Sequence, residues 1–154
     1  MVFHFVVFDN NNLNETGILN MCAKSDNFVL ITTNKDHVAF SILSNKKPKN
    51  MFIILQKSID LNEALEIIYN KFKCKRITLQ IGGTLNGLFL RNKLIDMVDI
   101  VVAPILIGGK DVSTLIDGEG LTSSNNLSLL GPLKLIKADI LKYSYIRLKY
   151  SALK

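Results

Sequence analysis

A glycine pair, Gly82-Gly83, carries the clearest chemical suggestion in the chain, because it stands between an apolar run at residues 77–79 and a helical pattern. Glycines at such a junction let the backbone approach an anion closely, and the N-terminus of the helix favours negative charge. Thr84 could cap this helix. The G-x-G-x-x-G dinucleotide fingerprint is absent, because the glycine spacing is Gly82-Gly83-x-x-x-Gly87. A P-loop is also absent, because no Lys-Ser or Lys-Thr follows Gly87. The pair is therefore either a phosphate cradle or an ordinary tight turn.

Polar residues also end two other predicted strands. Asp9 follows the apolar run that opens the chain, and Thr32 and Thr33 end the next such run. In open α/β sheets, ligands bind beyond the carboxyl ends of the strands. We therefore expect Asp9, the two threonines and the glycine pair to converge on one rim.

The elements that must position these residues alternate between strand-like and helix-like patterns. Residues 36–50 are polar and contain Pro48, which favours a connection over a long helix. Residues 97–107 are nearly continuously apolar, as in a strand covered on both faces. Together they predict a three-layer α/β domain spanning 1–154, with a mostly parallel sheet, helices on both faces and a C-terminal antiparallel hairpin around Ala138-Asp139. The predicted strands are 2–8, 28–33, 51–55, 77–79, 97–107, 133–138 and 140–150. Residues 16–24 are predicted to form a short helix or a turn, and further helices are predicted to begin near residue 58 or 60 and near residue 84.

Composition narrows the class of protein. Of the 154 residues, 48% are hydrophobic, enough for one domain with a substantial core. Lysine supplies 16 of the 19 cationic residues behind the net charge of +6, which is typical of a solvated surface and only weakly favours nucleic acid. Cys22 and Cys74 lack CxxC spacing, and His4 and His37 are isolated, so we expect structural thiols and no metal site. With neither a signal peptide nor a membrane-length apolar run, we expect a cytoplasmic protein that contacts no membrane.

A longer stretch around the glycine pair resembles a known family. The segment LQIGGTLNGLFLRNKLIDMVDIVVAPILIGG, continuing to STLIDGEG, resembles the reductase domain of riboflavin-biosynthesis enzymes, which is the C-terminal domain of the bifunctional deaminase-reductase and belongs to the dihydrofolate-reductase-like superfamily. Residues 5–9, residues 31–33 and the C-terminal hairpin extend the resemblance more weakly. The motifs that match in order and spacing are Thr84-Leu85-Asn86-Gly87, Leu94-Ile95-Asp96, Ala103-Pro104 and Gly108-Gly109.

The resemblance implies NADPH-dependent reduction of a phosphoribosylated aminopyrimidine, in which the Schiff base at the sugar C1′ becomes a ribitylamine. It places Gly82, Gly83, Thr84 and Leu85 at the cofactor pyrophosphate, Thr32 and Thr33 near its adenosine phosphate, and Asp9 on the same rim. Gln80 stands where the family usually has Glu and is expected to bind substrate without acting as a base. Lys35 is either a partner of the NADPH 2′-phosphate or an ordinary surface lysine. No residue is assigned a catalytic role.

Three hypotheses remain open from the sequence. The first is a reductase, and the second is a non-catalytic NADPH-binding or dimerisation module of the same fold, suggested by Gln80 and by the bulk of Ile81 beside it. The third, a nucleic-acid-binding domain, depends on charge alone. We expect the chain to lack the family's N-terminal third, and the sheet edge this would expose predicts a homodimer.

Overall fold

The computed structural model describes residues 4–109, 111–118, 120 and 122–153. The chain divides into two compact units, Met1–Arg76 and Ile77–Lys154. The units differ in the type of sheet that they contain, parallel in the first and antiparallel in the second. The expectation of a single domain over the whole chain stays a prediction.

The first unit is built on a parallel sheet of three strands: β1 (His4–Phe8), β2 (Asn27–Thr32) and β3 (Met51–Leu55). β2 is the central strand and pairs in parallel with both neighbours. Apolar β-branched and aromatic side chains dominate these strands and suit a pleated, buried surface. The three strands confirm the parallel sheet predicted for this part of the chain.

Helices cover both faces of this sheet. α1 (Glu15–Ala23) and α2 (Val38–Asn45) pack on one face, where the buried cluster includes Phe28 and Leu30 of β2. α3 (Leu61–Phe72) packs on the other face, against Ile31. Neighbouring residues of β2 point to opposite faces because side chains alternate along a strand. The predicted layering of helix, sheet and helix is therefore present in this unit.

The interpretation of residues 36–50 as a connection is wrong in part, because they contain α2. The helix begins after His37, whose side chain accepts a hydrogen bond from the Ala39 amide. Ala39 and Ile42 are both buried and lie three residues apart, which puts them on one helical face. Pro48 lies beyond the end of the helix and so does not interrupt it.

The second unit combines one helix with an antiparallel sheet. α4 (Gly83–Arg91) follows the glycine turn, and the sheet contains β4 (Met97–Val102), β5 (Leu133–Ile140) and β6 (Ile146–Ala152) in the order β4-β6-β5. A 3₁₀ segment, Ser124–Leu129, precedes β5. The C-terminal hairpin is confirmed, since β5 and β6 pair antiparallel.

Three details of the strand prediction are corrected. Residues 77–79 are not assigned as a strand, because residues 73–82 form no ladder with another strand in the described chain. β4 ends at Val102 rather than at residue 107, since the chain turns at Ala103, whose carbonyl accepts from the Ile105 amide at 2.8 Å, and Pro104 has no N–H to donate. β4 is also an edge strand with mostly exposed residues, not a strand covered on both faces.

The hairpin turns later than predicted. β5 continues through Ala138 and Asp139 to Ile140, and the connection lies between Leu141 and Tyr145. The Leu141 amide donates to the Tyr145 carbonyl at 2.7 Å, and Tyr143 has a positive φ of 59°. An apolar and basic stretch does not predict a tyrosine with a left-handed backbone conformation. The position of this turn therefore depends on tertiary contacts.

The antiparallel sheet has one apolar face and one largely charged face, which also holds Met97 and Val101. On the charged face, Arg147 donates to both carboxylate oxygens of Asp99, with Nε–Oδ1 at 2.8 Å and Nη2–Oδ2 at 2.6 Å. The strand register groups the residues of the other face. Its members are Val98, Ile100 and Val102 of β4, Leu133, Leu135, Ala138 and Ile140 of β5, and Ile146, Leu148, Tyr150 and Ala152 of β6.

Candidate functional site

Asp9 is buried directly after β1, and hydrogen bonds engage both of its carboxylate oxygens. Oδ2 accepts from Nε2 of His37 and from the Leu13 amide, both at 2.9 Å, and Oδ1 accepts from the Asn12 amide at 3.0 Å. Burial alone would raise the pKa of Asp9, but the hydrogen bonds from His37, Leu13 and Asn12 outweigh it and hold the pKa below its ordinary value. The ionised carboxylate therefore organises the loop that follows β1.

His37 completes this buried pair and begins α2. Its Nδ1 accepts from the Ala39 amide at 3.0 Å, so the hydrogen-bond network assigns the ring proton to Nε2, which donates to Asp9. The side chains of His37 and Asp9 are only 1% and 4% exposed. The pair joins the end of β1 to the start of α2.

Asn10 joins the loop after β1 to the end of β2. Its Oδ1 accepts from the Thr32 hydroxyl at 3.0 Å, the Thr33 amide at 2.9 Å and the Thr33 hydroxyl at 3.2 Å. The Thr32 hydroxyl also accepts from the Asn34 amide at 3.1 Å, and Thr32 is fully buried. We call Asp9, Asn10, Thr32, Thr33 and His37 the polar rim; its side chains hydrogen-bond to one another and to nearby backbone amides.

The glycine turn, Gly82-Gly83, is arranged differently. Gly82 is the N-cap of α4 and has no side chain to accept from the first turn, so the prediction that Thr84 caps the helix is wrong. In the described part of the chain, the backbone N–H groups of Gly83, Thr84 and Leu85 have no acceptor. A Cβ added to Gly82 would meet nothing within 4 Å. This helix terminus therefore has room for an acceptor from outside, as the N-terminus of an α-helix provides for anions.

Gly83 has a second role that the sequence does not reveal. Its carbonyl accepts from the Asp117 amide at 3.0 Å, and a Cβ added to Gly83 would lie 2.6 Å from the Thr114 carbonyl oxygen. Gly87 is tighter, with an added Cβ 2.3 Å from the Asp117 carbonyl oxygen. Both glycines allow the loop at residues 114–118, which we call the docking loop, to lie against α4.

The structure therefore brings together only part of the predicted site. Asp9, Thr32 and Thr33 lie at the same end of the parallel sheet, while Gly82, Gly83, Thr84 and Leu85 form the start of α4 in the second unit. Lys35 and Gln80 are both exposed. The convergence of the polar rim with the glycine turn, and the ligand roles of these residues, stay predictions.

Four polar residues for which no role was predicted form hydrogen bonds in or near these regions: Asn10, His37, Gln56 and Asn86. Gln56 is buried after β3, where its Nε2 donates to the Asp60 carbonyl at 3.0 Å and to Glu63 Oε2 at 2.7 Å. His37 could have been found, since a polar residue directly before an apolar helical pattern is an N-cap signal. Asn10 stands in a run of three asparagines and carries no such signal.

Both cysteines lie in the first unit, where Cys22 is buried and Cys74 is partly buried. Cys22 and Cys74 are free, and burial raises the pKa of the Cys22 thiol. Among the described residues, no group of three or more His, Cys, Asp or Glu side chains is placed to hold a metal ion. No helix in the same part of the chain is long and apolar enough to cross a membrane.

Comparison with curated proteins gives partial matches to named reductases. The chain is 34% identical over 76 residues to the 2,5-diamino-6-ribosylamino-4(3H)-pyrimidinone 5′-phosphate reductase of Methanothermobacter thermautotrophicus, a match covering 49% of this chain and 35% of that protein. The equivalent protein of Archaeoglobus fulgidus is 32% identical over 74 residues, covering 48% of this chain and 33% of the relative. The matches thus span about a third of the relatives' length.

Solved structures share the fold over nearly the whole chain. RibD from Acinetobacter baumannii superposes with a TM-score of 0.72 at 17% identity, over 96% of this chain and 37% of that one. A pyrimidine reductase-like protein from Corynebacterium diphtheriae gives 0.68 at 12% identity, over 97% and 60%. The family model described as the RibD C-terminal domain matches residues 5–144. The chain therefore belongs to the RibD C-terminal domain family.

Proposed function

We propose that this chain is the cofactor-binding part of an NADPH-dependent reductase of riboflavin biosynthesis. Its substrate would be a 5-amino-6-(5-phosphoribosylamino)uracil or the related diaminopyrimidinone 5′-phosphate, whose ribosyl group becomes ribityl. The names of the partly matching relatives support this substrate class. The observation that carries the proposal is the open N-terminus of α4 within the matched family segment.

The residues at the glycine turn fit a pyrophosphate. Three successive backbone N–H groups, those of Gly83, Thr84 and Leu85, lack acceptors in the described chain, and no side chain at Gly82 competes for them. The helix dipole adds partial positive charge at the same place. When bound, NADPH would supply the hydride, and the chain's own contribution here is to fix the phosphates.

The polar rim would serve the adenosine end of the cofactor. Thr32 is fully buried and its hydroxyl is engaged by Asn10 and Asn34, so its contribution would be to hold the rim in place. Thr33 is partly exposed, so it would be the member of the pair that contacts the cofactor directly. Lys35 is exposed two residues further and could meet the 2′-phosphate as a point charge.

A non-catalytic module of the same fold is the second candidate, and Gln80 favours it. Gln80 is exposed just before the glycine turn, where its amide can hydrogen-bond a substrate hydroxyl but cannot take up a proton as a carboxylate would. This alternative predicts NADPH binding without turnover. If the purified protein forms the ribityl product while it oxidises NADPH, the non-catalytic alternative is excluded.

The cofactor site is tested by substitution at Gly82. Gly82→Asp adds a carboxylate where nothing lies within 4 Å, at a backbone φ of −76° that Asp adopts freely, so the protein should fold. The new side chain would cap α4 and repel a pyrophosphate. We expect NADPH affinity measured by calorimetry to fall at least about tenfold, which is the cost of about 1.4 kcal/mol. Gly82→Ala, which adds neither cap nor charge, is the control. Equal affinities of the two variants would contradict the assignment.

We also propose a homodimer that covers the apolar face of the antiparallel sheet. Ile140 is 87% exposed and Leu135 is 52% exposed on that face. A contiguous apolar face of this kind usually marks an interaction site. Light scattering should show a dimer that Ile140→Lys dissociates, whereas Lys134→Gln on the opposite face should not. A wild-type monomer at micromolar concentration would overturn the proposal.

A further inference from the structure

The docking loop is attached to α4 through backbone contacts as well as side chains. The Asp117 amide donates to the Gly83 carbonyl, and neither Gly83 nor Gly87 can gain a Cβ without meeting the loop backbone within 3 Å. Arg91, one turn beyond Gly87, donates to the Asp117 carbonyl at 3.3 Å. The loop thus lies along one face of the helix, since residues 83, 87 and 91 are spaced by four.

Asn86 joins this loop to the segment that leads into the glycine turn. Its Nδ2 donates to the Leu115 carbonyl at 3.0 Å and to the Ile81 carbonyl at 3.3 Å. An amide nitrogen has two hydrogens, so both donors of this one side chain are used. Ile81 directly precedes Gly82, so Asn86 fixes the loop and the approach to the helix N-terminus at once.

The docking loop holds its backbone against α4 while it presents apolar side chains to solvent. Leu115 is 57% exposed and Ile116 is 41% exposed. A loop whose backbone groups are bonded and whose apolar side chains remain outside is suited to contacting a ligand or partner group. Its position beside the glycine turn makes the bound cofactor or its substrate the candidate for that contact.

We propose that Asn86 is a positioning residue that couples the docking loop to the proposed cofactor-binding turn. Neither the family match nor the relatives' names assign it a role. The inference rests on the proposed function: if the glycine turn holds the NADPH pyrophosphate, the order of the loop and the binding of NADPH depend on each other through Asn86. Loss of the Asn86 amide therefore weakens cofactor binding although Asn86 touches no phosphate.

The test compares Asn86 with Asn92, the C-cap residue of the same helix. Asn92 donates its Nδ2 to the Leu88 carbonyl at 2.8 Å, a bond of the same type at the opposite end of α4. In the intact protein, we expect Asn86→Ala to weaken NADPH binding about tenfold by calorimetry, because both hydrogen bonds that tie the docking loop to the approach to the glycine turn are lost. Asn92→Ala should change the affinity less than twofold.

Hydrogen exchange separates this inference from the proposed function. Without any ligand, Asn86→Ala should speed exchange of the Asp117 amide at least about tenfold, and Asn92→Ala should leave it unchanged. Bound NADPH should slow the same exchange in the wild-type protein. An unchanged Asp117 exchange rate or an unchanged affinity in Asn86→Ala would overturn the coupling. A wild-type protein that binds no NADPH overturns both the proposed function and the coupling, even where the exchange result shows that Asn86 holds the loop.

Discussion

The polar rim and the glycine turn were both predicted to bind the cofactor, yet their hydrogen bonds are organised in opposite ways. In the rim, Asp9 and Asn10 accept hydrogen bonds from within the first unit, and Thr32 is fully buried. At the glycine turn, the first helical N–H groups lack acceptors in the described chain. Polar side chains at strand ends are therefore weak indicators of ligand contact when they can bond to one another. The helix terminus is the better candidate because its first N–H donors have no acceptor among the described residues.

The largest expected effect on stability comes from removing the Asp9 carboxylate from the polar rim. Asp9→Ala removes three acceptor contacts and leaves the buried His37 Nε2–H without its partner. Because the loss of one member of a buried hydrogen-bonded pair is costly, we expect the free energy of unfolding to fall by about 3 kcal/mol. Urea denaturation measures it. Gly82→Ala at the open turn should lower the same quantity by less than about 1 kcal/mol. Equal effects at the two positions would contradict the contrast between them.

The next effect separates the two sides of the glycine turn. Gly87→Ala places a Cβ 2.3 Å from the Asp117 carbonyl oxygen, so the docking loop must move, at a cost of about 2 kcal/mol. Thermal unfolding gives the sign of the change. If the loop did not lie against the helix, the better helix propensity of alanine would instead stabilise the protein by about 1 kcal/mol. A raised melting temperature for Gly87→Ala would therefore refute the docked loop.

A smaller effect on stability distinguishes the roles of Thr32 and Thr33 in the polar rim. Thr32→Val deletes a fully buried hydroxyl that bonds to Asn10 and to the Asn34 amide, and should destabilise the first unit by about 1.5 kcal/mol. Thr33→Val should cost less than about 0.5 kcal/mol because the Thr33 amide still bonds to Asn10. For NADPH affinity we expect the reverse order, with the larger loss in Thr33→Val. A larger loss of affinity in Thr32→Val than in Thr33→Val would show that the buried threonine governs binding.

Much of the first unit was predictable because its signals are local. The strand predicted at residues 51–55 coincides with β3, and the helix predicted to begin near residue 58 or 60 coincides with α3, which Asp60 caps. Continuous apolar runs and N-cap side chains identify such elements. α2 was missed because the polar composition and Pro48 outweighed two buried apolar residues one turn apart. The sequence shows that Pro48 is present but not that the helix ends before it.

The second unit was less predictable because its structure depends on distant contacts. Residues 97–107 read as a buried strand, yet only β4 forms, at a sheet edge whose pairing with β6 is set some 50 residues away. The glycine pair was identified from its position before a helix. That Gly83 also seats the docking loop depends on residues 114–118, and nothing local to the pair encodes it. Asn86 was visible only as part of a family motif.

The smallest effect compares buried and exposed carboxylates through pH. Because the pKa of Asp9 in the folded protein lies below its ordinary value of about 3.9, its contribution is complete above that value and is lost as the pH falls through the folded-state pKa. The difference in unfolding free energy between wild type and Asp9→Asn should therefore narrow by on the order of 1 kcal/mol as the pH falls below about 4.

Asp99 is the control for this pH dependence. The hydrogen bond from Arg147 also lowers the pKa of Asp99, but the pair is solvent-exposed, so its effect should be smaller and should vanish in about 0.5 M salt. The narrowing seen with Asp9→Asn should persist at that salt concentration, because bulk ions screen a buried pair far less. If added salt abolished the pH effects of Asp9 and Asp99 equally, the Asp9 carboxylate would be accessible to solvent. The polar rim would then be open to ligands, as the glycine turn is.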